Sequence, residues 1–324
     1  MTREETLALL NNIHGSVSVV GSMNADYTVT TERLPGPGET VAGGPLQVLP
    51  GGKSGNQAAA AAKLGANVRM FGALGSDANA DFLLGQLVDA GVDTSGIRTV
   101  LGPSGTTVIT VDANGENTIV YSPGSNASVS VEYVHAQKDL LTSSQVLGLC
   151  LESPLETVTA AAKMCHEAGL RVLLNDSPFM AELPAQLVEN ADILLVNEHE
   201  LVQLLRIDEP ENDDWDLFDW QDAQKRLRDF GFSQAIVTLG GDGSVVLDAT
   251  VDPSIIRIAP VHVDAVDTTG CGDSFMGTVL AALASGLSLE AAAQLASYVS
   301  AYAATSYGAQ ASYGTAVQIR EKFK

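Results

Sequence analysis

The sequence predicts an α/β protein: a mostly parallel central sheet flanked by helices, with a small β-sheet set apart from it. Three observations carry that expectation. Apolar runs such as "VLGLCLE", "RVLLND" and "DILLVN" alternate with helix-period stretches such as "ETVTAAAKMCHEAG" and "EHELVQLL". Two separated regions, about 24–52 and 104–122, read as extended chain punctuated by Gly and Pro. No linker-like segment or internal repeat divides the 324 residues. One domain over 17–324 is expected, preceded by a helical extension at 1–16, with the two separated regions forming the small sheet.

The elements follow in order. "MTREETLALLNNIHG" places Leu7, Leu10 and Ile13 on one side of a short helix. "SVSVVGSMNADYTVT" is a buried run followed by alternation, and "ETVAGGPLQVLPGG" continues with strand-type residues. "NQAAAAAKLGA" is a helix, "NVRMFGALG" a strand, and "ADFLLGQLVDAGV" a helix ended by glycine. "TTVITVDANGENTIVYSPG" is a hairpin turning at "ANGEN". "AIVTLGGDGSVVL" reads as strand, glycine turn and strand, and "VHVDAVD" as a further strand. "IDEPENDDWDLFDWQDAQ" reads as an acidic surface loop or short helix.

Composition narrows the function. The chain has 17 Lys+Arg against 39 Asp+Glu, a net charge of −22 that repels nucleic acid and anionic membranes. It repels phosphorylated substrates too, so any nucleotide must be met by a local positive site. The three cysteines form no CxxC pair, and the five histidines show no zinc-ligand spacing. No apolar run reaches membrane length, and acids at the N-terminus without an A-x-A site argue against a signal peptide. A cytoplasmic protein is expected.

Five stretches could carry chemistry. "LPGGKSGNQAAAAA" imitates a phosphate-binding P-loop, but that motif needs glycine where Gln47 stands. A glycine loop at Gly52 remains, with Lys53 and Asn56 at a helix start, either as a capped turn or as a backbone tailored to a ligand. In "GSMNADY", Asn24 and Asp26 lie on one side of a strand, where an amide and a carboxylate could hold vicinal hydroxyls. In "LCLESPLE", Glu152 stands where a buried strand ends, the edge at which open α/β sheets bind ligands. Ser153 and Pro154 are expected as N-cap and first residue of the next helix. In "VNEHE", Asn197 and Glu200 have capping-box spacing, and could equally place a carboxylate near a metal–phosphate group.

"VDTTGCGDSFMGTVLAAL" is the most specific stretch. Gly270 and Gly272 let backbone approach a ligand at a helix start, where free N–H groups form an anion hole. Asp273 is set to take a proton from an attacking hydroxyl, and Asp267 to hold a cation or cap the turn. Two caps around a close-packed glycine turn are the structural alternative.

Together "DTTGCGDSF" and "GGKSGNQAAAAAKLGA" resemble the C- and N-terminal signatures of the ribokinase-like (PfkB) sugar kinases. "GSMNADYTVTTERLPGPGETV", "LESPLETV", "VNEHE", "VTLGGDGS" and "YGAQAS" fall in that family's order. The resemblance implies transfer of the ATP γ-phosphoryl to the 5-hydroxyl of D-ribose, with Mg²⁺ and activation by a monovalent cation such as K⁺. It makes Asp273 the base, with Gly270, Cys271 and Gly272 as the anion hole. It assigns the sugar to Asn24, Asp26, Gly52, Lys53, Asn56 and Glu152. It assigns the nucleotide side to Asn197, Glu200, Thr238, Gly240 and Gly243 with Gly272, and the monovalent cation to Asp267, Thr269, Ala303, Gly308 and Ser312. The small sheet would be a lid over the sugar and would pair two subunits. Another sugar or nucleoside kinase of the same fold, or a silent binding module, are the alternatives. The chain departs from the family pattern at Cys271, usually alanine, at Ser54–Gly55, and at Tyr307 and Ala311. A thiol at a helix N-terminus is expected to have a lowered pKa and to oxidise readily.

Overall fold

The computed structural model describes residues 1–324. A central sheet of nine strands has the order β13-β12-β11-β10-β9-β8-β1-β4-β5. The first strands are β1 (Ser16–Val20), β4 (Asn67–Leu74) and β5 (Asp93–Thr99). They are followed by β8 (Val146–Leu149), β9 (Arg171–Asn175), β10 (Ile193–Asn197) and β11 (Gln234–Thr238). All of these pair in parallel, whereas β12 (Ser244–Asp248) and β13 (Ile255–Ile258) add antiparallel at one edge.

Strand alternation divides the core into two layers. Ile193 and Leu195 face one layer, Leu194 and Val196 the other. The first layer holds the helices Lys53–Lys63, Cys271–Ala284 and Leu289–Ala303. The second holds Leu155–Glu167, Glu198–Leu205 and Trp220–Phe230. Strands β1, β8, β9, β10 and β11 therefore present their C-terminal ends along a single edge, where open α/β sheets bind ligands.

The small sheet has the order β3-β2-β6-β7. Its strands are β2 (Asn24–Thr30), β3 (Gln47–Gly51), β6 (Gly105–Val111) and β7 (Asn117–Ser122). It is mixed: β2 pairs with β6 in parallel, and both outer pairs are antiparallel.

Several local expectations need correction. Residues 261–265 are not a strand; their alternating apolar residues line a cleft instead of pairing. The helix after β8 begins at Leu155 with Pro154 at its N-cap, and Ser153 Oγ is buried without a partner, so Ser153 caps nothing. The N-terminal segment is a helix, Arg3–Ala8, and a 3-10 turn, Leu9–Asn12, but it is no appendage: Leu7, Leu10 and Ile13 belong to the core, and Ser16 already starts β1.

The acidic segment is also more than a surface loop. Trp215 is only 4% exposed and packs against Phe218 and Trp220, with His199 at its edge. Arg257 Nη1 reaches the Trp215 carbonyl (3.4 Å), joining the segment to β13. The carboxylates face solvent while the aromatics close the second layer. Trp215→Ala is expected to cost about 3–5 kcal/mol. Thermal unfolding checks this: an unchanged midpoint would show that the segment is peripheral.

Candidate active site

The site is built where β1 and β8 end and β2 begins. Gly52 precedes the helix Lys53–Lys63 with φ 85°, and a Cβ there would lie 2.8 Å from Met23 Cα, so glycine is required. Asn56 is therefore a helix residue in the second turn and not the cap. The adjacent Lys53 amide donates to Glu152 Oε2 (2.9 Å), and Ser22 Oγ donates to the same oxygen. Burial alone would lower the Lys53 pKa, but Asp273, Glu152 and Glu200 outweigh it and hold the ammonium above its usual value. Lys53 stays charged.

Asn24 is buried at the start of β2 and its Oδ1 accepts from Asn126 Nδ2 (2.7 Å), which leaves the Asn24 amide nitrogen for a ligand. Asp26 accepts from Thr107 Oγ1, and burial pushes its pKa up to about 6, with Glu152 and Asp273 adding to the rise. Tyr121 of β7 donates to the Glu152 backbone carbonyl (3.3 Å), so the small sheet touches the chain that carries this carboxylate.

Asp273 lies in the first turn of the helix Cys271–Ala284. Its Oδ2 accepts from Asn56 Nδ2 (2.9 Å) and its Oδ1 from Gln57 Nε2 (3.2 Å). Burial raises its pKa above the ordinary value, against the pull of Lys53, Asn56 and Gln57. A carboxylate made more basic in this way suits proton abstraction.

The helix start is made by Gly270, whose φ of 75° is left-handed. A Cβ at Gly270 would lie 2.5 Å from Ala309 Cβ and 2.6 Å from Tyr313 Oη. Gly272 differs: its Cβ would meet nothing within 4 Å. Neither conformation nor packing demands glycine at 272, and the open space beside it fits a ligand approaching the backbone.

Cys271 departs from both expectations placed on it. Its amide already donates to the Thr268 carbonyl (3.1 Å), so the amides left without acceptors are those of Gly270, Gly272 and Asp273. Burial pushes its thiol up to about 11, and Sγ lies 3.6 Å from the Ser300 carbonyl. The Ser300 contact does not offset that desolvation, and Asp267 and Asp273 add to the rise.

Behind these groups a cleft of ≈ 220 Å³ is lined by Lys53, Asn175, Asn197, Glu200, Gly272 and Asp273 among others. Asn197 and Glu200 do form the capping box, through Asn197 Oδ1 (2.7 Å) and Glu200 Oε2 (2.8 Å), and face the cleft as well. The capping-box reading of "VNEHE" is therefore observed, and the box stands at the wall of the cleft. Glu200 Oε1 and Asn175 Oδ1 make no hydrogen bond within the chain, since Asn175 spends Nδ2 on the Leu195 carbonyl (3.0 Å). Such hard oxygen donors beside a phosphate-sized space fit a divalent cation carried by a nucleotide.

A second cleft of ≈ 320 Å³ adjoins the first at Thr238 and Gly272. Gly240 and Gly243 line it, as do Pro260, His262, Phe275 and Ala301. Its partly apolar lining fits a base.

The expected cation loop is tied together by Asp267, whose Oδ1 accepts the Thr269 amide and Oδ2 the Gly308 amide, both at 2.9 Å. Burial would raise the Asp267 pKa, but these amides outweigh it and hold it below the usual value. The Ala303 carbonyl accepts the Ser306 amide (3.3 Å), and Ser312 Oγ donates to Ala309 O (2.9 Å). No group of three or more His, Cys, Asp or Glu is placed to hold a metal ion. A cation here would rest on loop carbonyls beside the Asp267 carboxylate, which fits a monovalent ion.

Sequence reasoning missed Asn126, Thr107, Gln57, Asn175 and Gln310. Asn126 sits in a "PGSNAS" turn whose residues signal only a loop.

A raised carboxylate and free helix amides at the junction of two adjoining clefts have the chemistry that phosphoryl transfer needs. The chain matches the pfkB family carbohydrate kinases over residues 15–316, and it belongs to that family. It is 32% identical to the ribokinase of Lactococcus lactis, over 95% of this chain and 97% of that one. It is also 32% identical to the deoxyribokinase of Salmonella typhi, over 94% and 97%. Arabidopsis thaliana ribokinase, solved with ribose and ATP, superposes with a TM-score of 0.85 at 29% identity, covering 96% of this chain and 99% of that one.

The two glycines separate packing from ligand approach. Gly270→Ala is expected to lose about 1–2 kcal/mol to left-handed strain before its clashes are counted, lowering the thermal midpoint. Gly272→Ala is expected to keep the wild-type midpoint and lose most ATP-dependent turnover. Full turnover in Gly272→Ala would show that the space beside it is not used.

Proposed function

We propose that this enzyme transfers the γ-phosphoryl of ATP to the 5-hydroxyl of D-ribose, giving ribose 5-phosphate. The observation that carries the reading is Asp273, a basic carboxylate at a helix N-terminus, held by Asn56 and standing at the junction of the sugar corner and the nucleotide cleft. Asn24 and Asp26 bind the ring hydroxyls as donor and acceptor, and Glu152 and Lys53 complete the sugar corner. Asp273 accepts the 5-hydroxyl proton as the oxygen attacks. The Gly270, Gly272 and Asp273 amides neutralise charge on the transferring phosphoryl, as phosphoryl transfer requires. Lys53 adds the cation that the −22 background lacks. Asn197, Glu200 and Asn175 would hold the Mg²⁺ of the nucleotide, which would supply charge neutralisation at the phosphates. Asp267, Thr269, Ala303, Gly308 and Ser312 would hold the monovalent cation, K⁺ in this reading.

The small sheet acts as a lid that excludes water from the sugar. It also pairs two copies of the chain. Val48, Val108 and Val120 stand in one row across β3, β6 and β7 through Tyr27, and all three are exposed. An apolar row of this kind marks an interface. The reaction is placed in the cytoplasm, where a reducing poise keeps Cys150, Cys165 and Cys271 as thiols.

An ATP-coupled assay over pentoses, hexoses and nucleosides, with and without K⁺, tests the substrate. D-ribose is expected to give the highest kcat/KM, with 2-deoxyribose lower because Asp26 and Asn24 lose a hydroxyl partner; preference for a hexose or nucleoside refutes the assignment. Asp273→Asn is expected to lose turnover by at least about a hundredfold while still binding sugar in calorimetry. Light scattering should give a dimer, and Val108→Asp with Val120→Asp a monomer. A wild-type monomer would remove the pairing role.

A further inference from the structure

Two buried amides outside the expected site frame its carboxylate. Gln57 is fully buried and gives Nε2 to Asp273 Oδ1 (3.2 Å). Gln310, buried in the turn after Gly308, gives Nε2 to Asn56 Oδ1 (3.0 Å), and Asn56 gives Nδ2 to Asp273 Oδ2 (2.9 Å). An amide carries donors at one end and acceptors at the other. Gln310 therefore decides which end of Asn56 meets the carboxylate. Its own backbone is anchored, since Lys63 Nζ holds the carbonyls of Gln310 (2.7 Å) and Tyr313 (3.0 Å).

The other ends of both glutamines are unused. Gln57 Oε1 and Gln310 Oε1 are buried with no donor. An unpaired buried acceptor weakens a fold, and an apolar side chain of similar length would leave none. The chain keeps at both positions an amide whose NH₂ is engaged and whose carbonyl is not. That pattern marks groups retained for what their NH₂ does.

We propose that Gln57 and Gln310 form an amide clamp on the base, Gln57 directly and Gln310 through Asn56, fixing both oxygens of Asp273 for the incoming sugar hydroxyl. The inference rests on Asp273 being the base. Gln310 is a positioning residue, since it touches neither substrate nor the carboxylate. The other groups around Asp273 are Lys53 from the start of the neighbouring helix, Glu152 after β8, Asp26 on β2, Cys271 at the start of the same turn, and Tyr313 from the C-terminal loop. Lys53 favours the ionised carboxylate and Glu152 opposes it, so the clamp's donors add to the lysine's effect. Losing a donor raises the Asp273 pKa, and the ionised form is the active base. The acid limb of activity then moves to higher pH.

Gln57→Met and Gln310→Met test this in the full-length enzyme with ATP and ribose. Each is expected to lower kcat/KM roughly ten- to hundredfold and to move the acid limb of the kcat/KM–pH profile upward. The thermal midpoint should stay level or rise. Gln310→Glu should be worse than Gln310→Met, because its carboxylate accepts and turns the Asn56 NH₂ away from Asp273. A lowered midpoint with an unmoved acid limb would show that the amides only pack, and would overturn the clamp. If a methionine variant does not fold, the leucine variant at that position takes its place under the same criteria. Asp273→Asn run alongside separates the two failures. A dead Asp273→Asn with wild-type profiles in the glutamine variants sinks only the clamp, whereas an active Asp273→Asn sinks the base and the clamp together.

Discussion

The close packing of the helix Cys271–Ala284 on the helix Lys53–Lys63 is the contact on which the rest depends. At Gly277 an added Cβ would lie 2.5 Å from the Gln57 carbonyl and 2.8 Å from Ala60 Cβ. The alanine run after Gln57 exists to permit this approach, since larger side chains would part the helices. Because they pack so tightly, the two N-termini converge at one sheet edge. One brings Lys53, Asn56 and Gln57, the other Asp273 and its free amides. Each residue is ordinary alone, and the interhelical distance turns them into a site.

That convergence also answers the electrostatic problem posed by the composition. A chain at −22 repels nucleotides over most of its surface. The repulsion is screened beyond about 8–10 Å at physiological salt, so a cleft needs only its own local field. Lys53 supplies that field as a charge kept by surrounding carboxylates, and the helix amides supply it as fixed dipoles. Outside the cleft, acids face solvent, as around Trp215, or are spent on backbone amides, as Asp267 is at Thr269 and Gly308.

The layered fold was legible because β1, β8, β9 and β10 are buried on both faces and read as continuous apolar runs. The start of the catalytic helix was legible because its glycines and aspartate are adjacent in sequence. Charged and periodic residues signal themselves; uncharged amides do not. Asn126, Gln57 and Gln310 matter through partners about 100 to 250 positions away, and no local pattern announces them. Residues 261–265 alternate as a strand does, yet cleft-lining and strand pairing ask for the same alternation. Trp215 was hidden by the acids beside it, because burial is decided side chain by side chain. Cys271 shows the limit of reasoning from a helix terminus alone, since burial and two nearby carboxylates push its thiol up.

In the proposed reaction the cleft and the sugar corner meet at Asp273, so that phosphate is delivered to the terminal hydroxyl of ribose. The proton-coupled ³¹P spectrum of the product reads that position directly. Phosphate on the 5-oxygen couples to the two protons on carbon 5 and gives a triplet, which the account predicts. A doublet from the single proton on carbon 1, or no sugar phosphate resonance at all, would contradict it.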